Sequence, residues 1–209
     1  MVVIGDSFVE SVGLALVFGR EIRFPIKDMD LAPSCEALCY TLADYCRDSG
    51  RAFSAGETVA WASSVLRFDA LDAEILCAAA LDLEADVFRN ELDDLLESWQ
   101  QQQNICRQNS SLYVQTAIAS MAVVSPDVLE GVRIREAVRY PFAGENCGWW
   151  FLGESFSGDF ANMKVAHVGH VLRSDRRIRS YLGLEPGFAV QPSDGKIWFE
   201  AEAAARGPI

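Results

Sequence analysis

Histidine is scarce in this chain of 209 residues, and closely paired cysteines are missing: there are two histidines, six cysteines and no Cys-x-x-Cys. Zinc at its usual ligand spacing is therefore not offered. His167 and His170 lie three residues apart and would need two further ligands that the sequence does not single out. No metal and no cofactor is expected. Six cysteines are also too few for a disulfide scaffold at this length. Cys35, Cys39 and Cys46 fall at offsets of four and seven on one apolar helical face, as buried reduced thiols do.

Basic charge is equally short, with 18 Lys and Arg against 30 Asp and Glu, a formal net charge of −12. Such a chain repels phosphate. Its one basic cluster, Arg173, Arg176, Arg177 and Arg179, has no helix-turn-helix, zinc or aromatic-basic motif beside it, so no nucleic-acid partner is expected. Those arginines are expected to pair with acids, across a domain interface or within a dimer. Gly5, Gly13 and Gly19 are spaced too irregularly for a phosphate loop. Glu10, Arg20 and Glu21 bracket the most apolar N-terminal stretch, leaving no run of the ~18 apolar residues a membrane helix needs. Met1 to Asp6 lacks the basic start of a secretory signal, and the expectation is a cytoplasmic protein with no membrane partner. Strand-like Val2-Val3-Ile4 followed by Gly5-Asp6-Ser7 is how one family of serine esterases presents its nucleophile. That chemistry needs a base from a downstream Asp-x-x-His, and neither histidine has an Asp three residues before it. The plain reading is a turn.

What is present is apolar: half of the residues are hydrophobic, enough for one large core or two small ones. Two or three strands are expected in the first thirty residues, with Glu21-Ile22-Arg23-Phe24 alternating polar and apolar. After Pro33, Leu38, Leu42 and Tyr45 recur at helical spacing up to Gly50. Ser54-Ala-Gly-Glu57 has the form of a capping box, which predicts a second helix through Phe68. Asp69 would cap a third through Leu81. A fourth is predicted from about Asp86 to Gln102, with Phe88, Leu92, Leu95, Leu96 and Trp99 on one face. The polar tract Gln100 to Asn104 reads as a frayed helix end entering a linker near 105–115.

Charge is concentrated. Between Asp69 and Glu97 lie ten acids against Arg89 alone, whereas Met121 to the C-terminus has eleven acids and ten bases. Asp86, Asp93, Asp94 and Glu97 would gather opposite the apolar stripe of the fourth helix as one exposed acidic ridge. Such a ridge is either a solvated face or a docking surface for a basic partner.

The C-terminal half is organised around Asn146-Cys147-Gly148-Trp149-Trp150-Phe151-Leu152-Gly153-Glu154. On a strand, Trp149 and Phe151 point one way and Trp150 and Leu152 the other, so both faces are apolar and both need cover. Gly148 and Gly153 would give a bulge or sharp exit at each end. A strand is expected within Val114 to Val124, another from Val132 to Tyr140, a polar loop from Gly158 to Asn162, and helix from Asp175 to Leu182. Pro192-Ser-Asp-Gly195 turns a terminal hairpin between Phe188-Ala-Val190 and Ile197-Trp-Phe199.

The order Met121-Ala-Val-Val-Ser125, then Gly148-Trp149-Trp150-Phe151 closing on Gly153-Glu154, resembles the small immunity-protein-like domain of bacterial polymorphic toxin systems. There a short Val-Ser strand precedes a pattern close to S-G-W-x-F-x-x-G-[DE]. Cys147 stands where that pattern usually has serine. The resemblance covers roughly the last ninety residues. It implies a non-catalytic protein that binds a cognate toxin, with Gly148, Trp149, Trp150, Phe151 and Gly153 as the structural core of the motif.

The expected fold is α+β. Residues 1–110 would form an acidic, mostly helical domain with N-terminal strands, and residues 115–209 a small α+β domain with an antiparallel sheet. Asp86, Asp93, Asp94 and Glu97 are the candidate toxin contacts, on a partner with a basic surface. An enzyme using Glu145, Glu154 and a histidine beside Trp149 and Trp150 is the alternative.

Overall fold

The computed structural model describes residues 1–142 and 144–206. The fold is α+β, with two mixed sheets, and the chain divides into two compact units, Met1–Gln100 and Gln101–Ile209.

In the first unit, β1 (Val2–Ile4), β2 (Phe8–Ser11), β3 (Glu21–Pro25), β4 (Thr58–Trp61), β5 (Ser64–Ala70) and β6 (Ile75–Asp82) order as β1-β2-β3-β6-β5-β4, and β7 (Val87–Arg89) also pairs with β6. Only β3 and β6 run parallel among these pairs. Helix α2 (Ala32–Ser49) follows the short α1 (Ala15–Phe18) and ends at Gly50 in the left-handed region. Its stripe Cys35, Leu38, Cys39, Leu42 and Cys46 joins Val9, Ile22, Phe24, Leu66, Phe68 and Leu76 in one core. Gly5 to Ser7 is the turn between β1 and β2, its Gly5 N–H donating to the Phe8 carbonyl at 2.9 Å.

The stretch from Glu57 to Leu81, expected as two helices, is instead strand. Burial along β5 alternates strictly: Ser64, Leu66 and Phe68 are buried while Val65, Arg67 and Asp69 are not. Trp61 and Ala62 had supplied a false helical period, although Trp61 ends β4 and Ala62 lies in the turn into β5. Glu57 does accept from the Ser54 N–H at 3.0 Å, the return contact of a capping box, but here it closes a turn into β4. The fourth helix, α3 (Asp93–Gln108), starts seven residues later than expected, because Val87–Arg89 pairs with β6 and Asp86, at φ +56°, turns the chain between the two strands. Its far end is regular helix through Gln108 rather than a frayed Gln tract, in keeping with the high helix propensity of Gln.

In the second unit, β8 (Met121–Val124), β9 (Ile134–Arg139), β10 (Asn146–Gly153), β11 (Lys164–His167), β12 (Phe188–Gln191) and β13 (Lys196–Phe199) order as β11-β8-β10-β9-β12-β13. The Trp-Trp strand is β10, inside the sheet, parallel to β8 and antiparallel to β9. The sheet is therefore mixed rather than purely antiparallel. The expected hairpin is β12 and β13, in register Phe188↔Phe199 to Gln191↔Lys196. Short helices α4 (Pro126–Leu129), α5 (Val168–Ser174) and α6 (Ala201–Ala205) complete the unit, and Asp175 caps a 3-10 segment, Arg176–Tyr181, where helix was expected.

Two rows cross this sheet on opposite faces. Val124, Phe151, Ala137, Val190 and Ile197 align in one, and Val165, Val123, Trp150, Val138, Ala189 and Trp198 in the other. The two-sided apolar character of β10 follows from this placement.

Candidate interaction and structural sites

The motif residues build a scaffold. Trp149 and Phe151 are fully buried and stack at 5.8 Å with ring planes 14° apart, while Trp150 on the opposite face meets Tyr140 edge-on at 5.5 Å. Gly148 sits at φ +81° within the register shift of β10 against β8, and a side chain there would overlap the Tyr140 carbonyl. Gly153 has a different reason. The Asp127 carboxylate lies against its Cα, leaving no space for a Cβ. Ser125, fully buried, accepts from the Gly153 N–H at 2.8 Å and donates to Asp127, which also accepts from the Ser155 N–H at 3.0 Å. The Val-Ser and Gly-Glu ends of the motif are thus stitched together across the sheet.

Arg139 is the residue the sequence did not reveal. Its side chain is fully buried, with Nε donating to the Cys147 carbonyl at 3.1 Å and Nη1 to the carbonyls of Val114 (2.9 Å), Leu182 (3.2 Å) and Leu184 (2.5 Å). Among the described residues no carboxylate pairs with it, and Nη2 has no acceptor. The guanidinium carbon also lies 5.3 Å from the Phe142 ring centre and 5.7 Å from that of Trp149. Burial pulls its pKa down to about 10, so it stays charged at neutral pH. One cation thereby gathers the segment before β8, the start of β10 and the loop after the 3-10 turn. Nothing in Val138-Arg139-Tyr140 distinguishes it from a solvent-facing arginine such as Arg135.

The basic cluster has an internal role in part. Arg177 forks onto Asp175 at 2.9 and 2.5 Å, and Asp175 also accepts from the Ile134 N–H at 3.0 Å. Burial by itself raises the Asp175 pKa, but these hydrogen bonds and the Arg177 charge outweigh it and hold the carboxyl below its ordinary value.

The acids expected as one ridge are dispersed. Asp86 occupies the turn between β6 and β7 rather than a helix. Asp93 is buried at the start of α3, where its carboxylate accepts from the N–H groups of Lys27 (2.9 and 3.0 Å) and Asp28 (2.7 Å). It is a fastening point between α3 and the chain leaving β3. Asp94 and Glu97 are exposed on α3.

Glu145 and Glu154 bracket β10, nine residues apart along extended chain, or roughly 30 Å at ~3.3 Å per residue, too far to act as a carboxylate pair. Both histidines are exposed, with ring centres 5.7 Å apart. No group of three or more His, Cys, Asp or Glu among the described residues is placed to hold a metal ion. No helix among them is long and apolar enough to cross a membrane. A cavity of about 300 Å³ in the first unit is lined by Leu16, Val17, Cys46, Arg47, Gly50, Arg51 and Ala52. Its two arginines pair with Asp44 and Glu57.

Neither a curated protein nor a solved structure matches the chain. Residues 101–200 match the family model of the Imm33-like domain. The match supports an immunity-protein-like domain in the C-terminal half of the chain.

Proposed function

We propose that this protein is a cytoplasmic immunity protein that binds a cognate bacterial toxin, blocks its active site and performs no chemistry of its own. The match of residues 101–200 to the Imm33-like domain carries this reading. The separation of Glu145 from Glu154 along β10 agrees with it.

The acidic first unit supplies the charge that draws in a basic toxin surface. Asp86, Asp94 and Glu97 are the proposed contacts or steering groups, and Asp93 is set apart from them because its carboxylate is occupied by Lys27 and Asp28. Complementary charge acts mainly on the association rate and is screened over about 8 Å at physiological salt.

Co-expression with the toxin encoded beside it restores growth on this reading, and continued killing with both proteins soluble refutes it. In the purified pair, Asp94→Lys with Glu97→Lys slows association by roughly ten-fold at low salt and less at high salt. Parental rates at every salt concentration would leave these acids as a solvated face.

A further inference from the structure

We infer that residues 154–163 form a detachable strap over Trp150, and that the toxin takes the place of the strap; the second clause rests on the function proposed above. The segment leaves β10 at Gly153 and rejoins the sheet at β11. Its residues are exposed except for Phe156 and Met163, which are half-buried. One ring contact holds it to the sheet, Phe160 on Trp150 at 6.0 Å, and Phe156 meets Phe160 at 5.2 Å within the strap itself. Phe160 itself is 57% exposed, so it covers the tryptophan without being covered.

Hydrogen bonding points the same way. The Ser155 N–H reaches Asp127 and the Phe156 N–H reaches Gly153, which anchor the start of the strap to the sheet. Beyond Phe156 the bonds turn inward: Asp159 accepts from Ala161 and Asn162, and the Met163 N–H donates to Phe160. Gly158, at φ +91°, lies between the anchored and the self-contained parts. A segment with few buried apolar contacts and mainly local hydrogen bonds opens without the sheet that carries it.

The Trp150 indole N–H is shielded from water and has no acceptor among the described residues. Neither of the rings that pack on Trp150, Tyr140 and Phe160, gives the indole N–H an oxygen. A partner presenting an apolar side chain beside a main-chain carbonyl would cover the same ring and also satisfy the donor. Because Trp150 lies in the row of Val123, Val138 and Ala189, it remains fixed in the sheet while the strap moves.

Two measurements test this. Amide hydrogen exchange on the free protein should show Ser157 to Asn162 exchanging at least roughly 100-fold faster than Ala137, Val138 and Phe151 under native conditions. Exchange of the strap together with those strands would overturn the detachable strap without involving any toxin. Fluorotryptophan NMR, with Trp150 assigned through Trp150→Phe, should show its resonance moving in Phe160→Ala while the melting temperature stays near parental. Phe160→Leu, which keeps an apolar cover, should move it less. With the toxin, the Trp150 resonance should shift on binding and Phe160→Ala should bind several-fold tighter. A complex that leaves Trp150 unmoved and binds Phe160→Ala like the parent would sink the docking clause. If no complex forms with any variant, it is the immunity reading that fails, and the exchange data still decide the strap.

Discussion

The most buried charged side chain of each unit engages a different half of the peptide group. The first contains 19 acids and 7 bases and the second 11 of each, so the first holds the whole net charge of −12. Half-buried Glu10 pairs with Arg23, but two other carboxylates of this unit, one half-buried and one buried, turn to main-chain N–H groups. Glu21 accepts from Gly13, Leu14 and Ala15 and from the Ser11 hydroxyl, and Asp93 accepts from Lys27 and Asp28. In the second unit the most buried charge is the Arg139 cation, held by four main-chain carbonyls, while the buried Asp175 carboxylate accepts from the Ile134 N–H and from Arg177. Net charge and structural charge are therefore separate quantities. The acids that make the first unit electronegative at a distance are not all available to a partner, and the neutral second unit still depends on an ion.

Substitutions in both units sharpen or break this contrast. The largest effect is expected from Trp149→Ala, which empties a fully buried site in the second unit and should cost about 3–5 kcal/mol in a denaturant titration. A near-parental midpoint would mean that the ring lies at the surface. Next is Arg139→Met, which keeps the volume but leaves the carbonyls of Cys147, Val114, Leu182 and Leu184 without their donor. A loss of about 2–4 kcal/mol is expected, with Arg139→Lys intermediate because an ammonium lacks the planar fork. An Arg139→Met variant as stable as the parent would show that the cation is dispensable and that the comparison fails for the second unit.

Asp93→Ala should then cost about 1–3 kcal/mol through the stranded N–H groups of Lys27 and Asp28, whereas Glu97→Ala, four residues along the same helix, should stay within about 0.5 kcal/mol. Equal effects would erase the distinction between structural and surface acids. Gly153→Ala is expected to cost about 1–2 kcal/mol by pushing on Asp127, and pairing it with Asp127→Ala should give less than the sum of the two single losses.

Legibility in the sequence followed the same division. In the second unit, alternation around Trp149 and Trp150 and the Pro192 to Gly195 turn announced β10 and the β12–β13 hairpin, because large apolar residues of period two and a strong turn signal have few other uses. The α+β class was legible for that reason. In the first unit, β6 contains Ala78-Ala79-Ala80, residues that favour helix locally, and only its position between β3 and β5 makes it a strand. The acidic ridge was assembled on a helix that does not extend to Asp86, and the burial of Asp93 depends on Lys27 and Asp28, 66 and 65 positions away in the chain. Arg139 was invisible because its four carbonyl partners belong to residues from Val114 to Leu184, which no local pattern connects.

The contact between Ser125, Asp127, Gly153 and Ser155 has a consequence for inheritance. Two short peptides 28 residues apart share one arrangement of a hydroxyl, a carboxylate and a missing side chain. A lineage that enlarges Gly153 must first shorten or move Asp127, and one that loses Asp127 frees Gly153 to vary while leaving the Ser155 N–H in need of another acceptor. Substitutions at these positions should therefore travel together among relatives, with the Asp127 change preceding the Gly153 change, and intermediates in the opposite order should be rare.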